Sequence, residues 1–170
     1  IFVYGTQGSA AENAWALAKA RFDAETFWYR GNGSPDVVAD KNFDPAKEPD
    51  RSVILYGHST MNAAWGRLLP RDCPVNVKPG SVQIGERVFH GDDLACLFLR
   101  PRPGSETACV AVIAGTGLPG MRLTDRFPVF MSGVAYPDCI VISSEMLRTG
   151  AKAVRAAGFF GNDWSVERGE

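Results

Sequence analysis

Four segments of the chain repeat one order of parts: an unbroken apolar run, a turn containing Gly or Ser, then a stretch with helical spacing. They are IFVYGTQGSAAENAWALAKARF from residue 1, SVILYGHSTMNAAWGRLL from residue 52, ACVAVIAGTGLPGMRLTDRF from residue 108 and CIVISSEMLRTGAKAVRAAG from residue 139. Val- and Ile-rich runs without polar alternation belong to strands covered on both faces. The repeat therefore predicts an α/β fold: an open, mostly parallel sheet with helices on both faces, in Rossmann- or flavodoxin-like layers. Residues 75–99 break the pattern. Short β-type runs around Pro79-Gly80 and Gly85-Glu86 predict an antiparallel ribbon insertion there, ending in the strand LACLFLRP.

Local signals place the first elements. Ser9-Ala-Ala-Glu12 is a capping box, so a helix is expected to start at residue 10. Its apolar stripe runs to about residue 30, where GNGSP supplies stop signals. DVVAD at 36–40 reads as a second strand, and KNFDPAKEPDR as a surface connection. With 170 residues, 45% of them hydrophobic, residues 1–170 are expected to form a single domain around one substantial core. The chain opens directly on a strand, with neither an initiator Met nor a charged leader, and is read as a piece excised from a longer polypeptide.

The 18 basic and 19 acidic residues are interspersed, which disfavours nucleic acid as a partner. No apolar run approaches the roughly 20 residues that span a bilayer, so no membrane partner is expected. Cys73, Cys96, Cys109 and Cys139 lack C-x-x-C spacing, and three lie in apolar runs, where a thiol behaves as a small hydrophobe. A Cys96–Cys109 disulfide stays open as an alternative. His58 and His90 do not fall at metal-ligand spacing, so neither a metal nor a cofactor is expected.

Three turns are candidates for chemistry. In Gly57-His58-Ser59-Thr60-Met61, Ser59 occupies the place of a hydrolase nucleophile, with His58 or His90 as its base. A bulky Met61 stands where the second glycine of such an elbow belongs, and the order serine, acid, histidine is missing downstream. The alternative is that the hydroxyl of Ser59 or of Thr60 caps the following helix. Gly115-Thr-Gly117-Leu-Pro-Gly120 matches a dinucleotide-binding turn, with Glu145 as the only acid near the ribose position. Its alternative is a glycine turn for close strand–helix packing. Gly5-Thr6-Gln7-Gly8-Ser9 could form an anion-binding nest, though without the lysine of a P-loop. The aromatic clusters FWYRGN at 27–32 and FFGNDW at 159–164 read either as helix-end core packing or as contacts with a partner domain.

Three stretches, DRSVILYGHSTMNAAWGRLL, SVQIGERVFHGDDLACLFLRPRPGS and VAVIAGTGLPGMR, together resemble the C-terminal Rossmann-like α/β domain that follows the α/β-hydrolase domain in bacterial prolyl-oligopeptidase-like and esterase-like proteins. The resemblance covers essentially residues 1–170. It implies a non-catalytic accessory or docking domain of a larger periplasmic or extracellular serine hydrolase, partnered by the N-terminal α/β-hydrolase domain of the same polypeptide. No catalytic residue carries over. The residue it marks at the corner is Asn62, expected to bond neighbouring backbone and lock the turn. Two other readings remain: a stand-alone serine hydrolase using Ser59, and a nucleotide-binding domain using Gly115 to Gly120.

Overall fold

The structure is a computed structural model that describes residues 1–169. The predicted first strand and helix are β1 (Phe2–Tyr4) and α1 (Ala10–Gly31). Both halves of the capping box form: the Ser9 amide donates to the Glu12 carboxylate at 2.7 Å, and the Glu12 amide donates to Ser9 Oγ at 3.4 Å. The helix ends at Asn32, which takes the left-handed conformation at φ 50° that the stop signals favour. Then come β2 (Val37–Ala39), β3 (Val53–Tyr56) and a short α2 (Trp65–Leu68). The middle of the chain holds β4 (Val75–Lys78), β5 (Ser81–Ile84) and β6 (Arg87–His90). After these come β7 (Ala95–Pro101), β8 (Cys109–Gly115), α3 (Leu118–Leu123), β9 (Cys139–Ile142), α4 (Met146–Thr149) and β10 (Val154–Gly158).

Seven strands form one mixed sheet in the order β10-β9-β7-β8-β3-β1-β2. Strands β8, β3, β1 and β2 pair in parallel, while β7 runs antiparallel to both β8 and β9. β9 therefore points the same way as β8, and β10 lies antiparallel at the edge. The sheet is mostly parallel. Side chains alternate cleanly between its faces: Leu55, Val112, Phe98 and Val141 enter one core, and Tyr56, Ile113, Leu97 and Ile142 enter the other. That double burial is why the strands carry continuous apolar runs.

Three expectations need correction. Helices do not cover both faces evenly: α1 and α3 lie over one core, but the other is closed mainly by the separate sheet β4-β5-β6, with only the four-residue α2 beside it. Val75, Val77, Val82 and Ile84 supply the apolar side of that small sheet. The ribbon stops at His90, and residues 95–101 instead form an interior strand of the main sheet. The last strand–helix unit is likewise cut short. Gly150 at φ 64° follows the one-turn α4, and Val154–Gly158 pairs back onto β9.

All four cysteines are free thiols. Cys96 stands opposite Ala114 and Cys109 opposite Pro101, toward opposite ends of one ladder, so the Cys96–Cys109 bridge does not form. The neighbouring Cys139 thiol and complete burial push the Cys96 thiol well up, leaving it protonated and inert.

Candidate functional site

In open α/β sheets, ligands bind beyond the carboxyl ends of the strands, where the strand order changes direction. Here the chain moves from β1 to β2 on one side and to β3 on the other, so that place lies beyond Tyr4 and Tyr56. The turns carrying Gly5–Ser9 and Gly57–Asn62 meet there.

Every backbone amide of the Gly5–Ser9 turn is taken. Gly5 donates to Tyr56 O at 3.0 Å and Gln7 to Met61 O at 3.0 Å. Thr6 donates to the Asp40 carboxylate at 3.3 Å, Gly8 to Asn13 Oδ1 at 2.9 Å and Ser9 to Glu12. Two of these acceptors are carboxylates of the chain itself, so the nest already holds internal anions. Asp40, fully buried at the end of β2, also accepts from Thr6 Oγ1 at 2.6 Å and from the Ala63 amide at 2.7 Å. It bridges the two turns. Its place directly after the apolar run VVA was the available signal, but its partners lie 23 and 34 residues away.

Ser59 is likewise committed. Its amide donates to Val77 O at 2.9 Å and its hydroxyl donates to the same carbonyl at 2.8 Å, tying the corner to the small sheet. It does not cap α2, whose N-terminal flank is Ala64 and has no side-chain cap. The expected capping role is corrected: a turn over residues 58–64 separates Ser59 from the helix. Nor does His58 face Ser59. His58 Nδ1 lies 3.1 Å from Thr60 Oγ1, and the buried Nε2 has no hydrogen-bond partner, with Glu12 Oε1 3.6 Å away. Burial pulls the His58 imidazole below its usual range, against the opposing pull of Glu12. His90 ends β6, exposed and in register with Ser81.

Asn62 does what the corner needs. Its amide nitrogen donates to Val3 O at 2.9 Å and Tyr56 O at 3.1 Å, and its oxygen accepts the Ala64 amide at 3.0 Å. One side chain thus joins β1, β3 and the start of α2.

At the second glycine turn the backbone is closely packed. A Cβ on Gly115 would strike the backbone of Gly120 and Met121, one on Gly120 would strike Leu94, and one on Gly117 would meet Asp92 O at 2.7 Å. These glycines let β8, α3 and the strand entering at Leu94 pack in contact. The Gly120 amide donates to Asp92 O at 3.3 Å and the Met121 amide to Gly117 O at 2.8 Å. Glu145 pairs with Arg148 at 2.6 Å, and β7 lies between β8 and β9, so this acid is not on the strand adjoining the turn.

The aromatic clusters divide. Phe27 packs on Phe130, with ring centroids 4.9 Å apart, and Phe130 stacks on Phe2 at 5.5 Å, but Trp28 and Tyr29 face outward. At the other cluster the Arg100 guanidinium sits against the rings of Phe160 and Trp164, while Phe159 is exposed. Among the described residues no helix is long and apolar enough to cross a membrane, and no group of three or more His, Cys, Asp or Glu side chains is placed to hold a metal.

No protein-family model matches the chain, and no curated protein matches it.

Proposed function

We propose that this chain is a non-catalytic accessory domain of a larger serine-hydrolase-like protein of prolyl-oligopeptidase or esterase type. The observation that carries its non-catalytic part is the bond from Ser59 Oγ to Val77 O, with no histidine bonded to that serine; the hydrolase parent rests on the resemblance of the three stretches quoted above. A nucleophile needs its hydroxyl within reach of a base, and here the hydroxyl is spent on holding two sheets together. The filled Gly5–Ser9 nest, and the absence of Glu145 from the strands adjoining the Gly115–Gly120 turn, support the same reading against a nucleotide site. On this account the sheet order around β1 and β3 is a Rossmann-like layering whose binding edge has been given over to internal bonds. The catalytic domain precedes Ile1 on the same polypeptide, and the periplasmic or extracellular location follows from that parent.

The test is ester or prolyl-peptide turnover by the longer polypeptide carrying Ser59→Ala. Turnover equal to the unsubstituted protein is expected, together with an upstream reading frame that encodes an α/β-hydrolase. Turnover falling to background, or a reading frame with no such domain, would overturn the proposal.

A further inference from the structure

A polar atom of a buried side chain ordinarily has a hydrogen-bond partner. His58 departs from this at the edge where β1 and β3 end: its side chain is 3% exposed, and its Nε2 has no such partner. Across from it, at 3.6 Å, lies Oε1 of Glu12, in the first turn of α1. That separation exceeds the roughly 3.2 Å limit of an N–H···O bond. Both side chains are held at their other polar atom. His58 Nδ1 lies 3.1 Å from Thr60 Oγ1, and Glu12 Oε2 accepts from the Ser9 amide at 2.7 Å and the Ser9 hydroxyl at 2.8 Å. Each keeps one atom free of hydrogen bonds, and these two atoms face one another.

We propose that His58 Nε2 and Glu12 Oε1 are the two protein ligands of a divalent transition-metal site, with water in its remaining positions. Zinc stands about 2.0–2.1 Å from an imidazole nitrogen and about 2.0–2.2 Å from a carboxylate oxygen. Ligand atoms 3.6 Å apart then subtend roughly 115–130° at the ion, and closing them by about 0.2 Å gives a tetrahedral angle. The bonds to Thr60 and Ser9 act as outer partners do at metal sites, fixing the imidazole tautomer and the carboxylate. With Nδ1 donating to Thr60, Nε2 presents its lone pair to the carboxylate, and a cation is what two facing lone pairs attract. The corner as a whole favours positive charge. Glu12 and the buried Asp40 both serve its turns, and among the described residues no Lys or Arg pairs with either carboxylate. The positive end of α1 opposes a cation, and the Glu12 charge within the first turn offsets it. One nitrogen and one carboxylate oxygen suit zinc, nickel, cobalt or copper, whereas calcium and magnesium take oxygen ligands. The ligands sit on separate elements, so the ion pins the start of α1 to the turn after β3. The spacing of the two histidines could not reveal such a site, because the second ligand is a carboxylate far along the chain.

The site does not depend on the accessory-domain reading. Its test is calorimetric titration of the 170-residue chain, stripped with EDTA and dialysed, with zinc near neutral pH. Two protein ligands bind more weakly than a full structural set, so one ion per chain with micromolar affinity is expected. His58→Gln and Glu12→Gln should each raise the dissociation constant roughly tenfold or more, and His90→Gln should leave it unchanged. Zinc should raise the urea midpoint of the unsubstituted chain and not that of His58→Gln. Both ligand positions lie in a packed corner, so the unsubstituted protein supplies a second readout. Substoichiometric cobalt should shift or broaden the ring resonances of buried His58 ahead of those of exposed His90. The absence of binding up to millimolar zinc overturns the proposal, as does cobalt that reaches His90 first. So does zinc binding that survives both ligand substitutions or is lost with His90→Gln, which would make it an adventitious ion only.

Discussion

Asn62 concentrates the stability of the corner in one side chain. It is 1% exposed, and its three bonds satisfy backbone groups on β1, β3 and the turn before α2. Asn62→Ala removes all three bonds and leaves the buried Ala64 amide without its acceptor, and a loss of about 2–3 kcal/mol is expected from urea unfolding. Loss within experimental error would show that the corner is held by other bonds. His58 adds a pH dependence of definite sign. Burial lowers its folded-state pKa, so the unfolded chain takes up the proton first and stability falls as pH drops below about 6.5. His58→Gln should flatten the change in urea midpoint between pH 7.5 and pH 5.5; an unchanged slope would place the effect elsewhere. Glu12 acts lower on the scale. Burial alone would raise its carboxyl, but bonds from Ser9 and the nearby His58 outweigh this and leave it lowered. Its contribution is present above the ordinary glutamate range and is lost as pH falls through it.

At the scale of elements, glycine substitutions separate close packing from open space. Gly120→Ala drives a methyl group into the Leu94 backbone, and a cost above about 3 kcal/mol is expected. Gly66, inside α2, has nothing within 4 Å of its would-be Cβ, so Gly66→Ala should raise stability by about 0.5–1 kcal/mol. Thermal unfolding of the two variants should move in opposite directions, and equal shifts would contradict the packing described at the glycine turn. The same elements show what was legible in advance. The α1 boundaries could be read because the capping box and Asn32 act within a few residues. The pairing of β7 could not: an apolar run covered on both faces has the same composition whether its neighbours are parallel or antiparallel. The alanines of AKAVRAAG favour helix locally, but pairing with β9 makes most of that segment a strand. The bonds of Ser59 and Asp40 span 18 to 34 residues, beyond the reach of any local pattern.

Across the whole molecule, a seven-stranded sheet lies between a helical layer and a small antiparallel sheet. The edge where such folds hold ligands is closed by its own serine, carboxylates and asparagine, and the largest outward aromatic surface lies on α1 instead. That contrast supports the proposed role: the edge is taken up by internal bonds, while Phe22, Trp28 and Tyr29 stay exposed on α1. The measurement that bears most directly on this account is intact-mass analysis of the folded 170-residue chain after exposure to a fluorophosphonate probe. The account predicts no adduct, because the Ser59 hydroxyl is held by Val77 and lacks a base; a stoichiometric adduct mapped to Ser59 would contradict it.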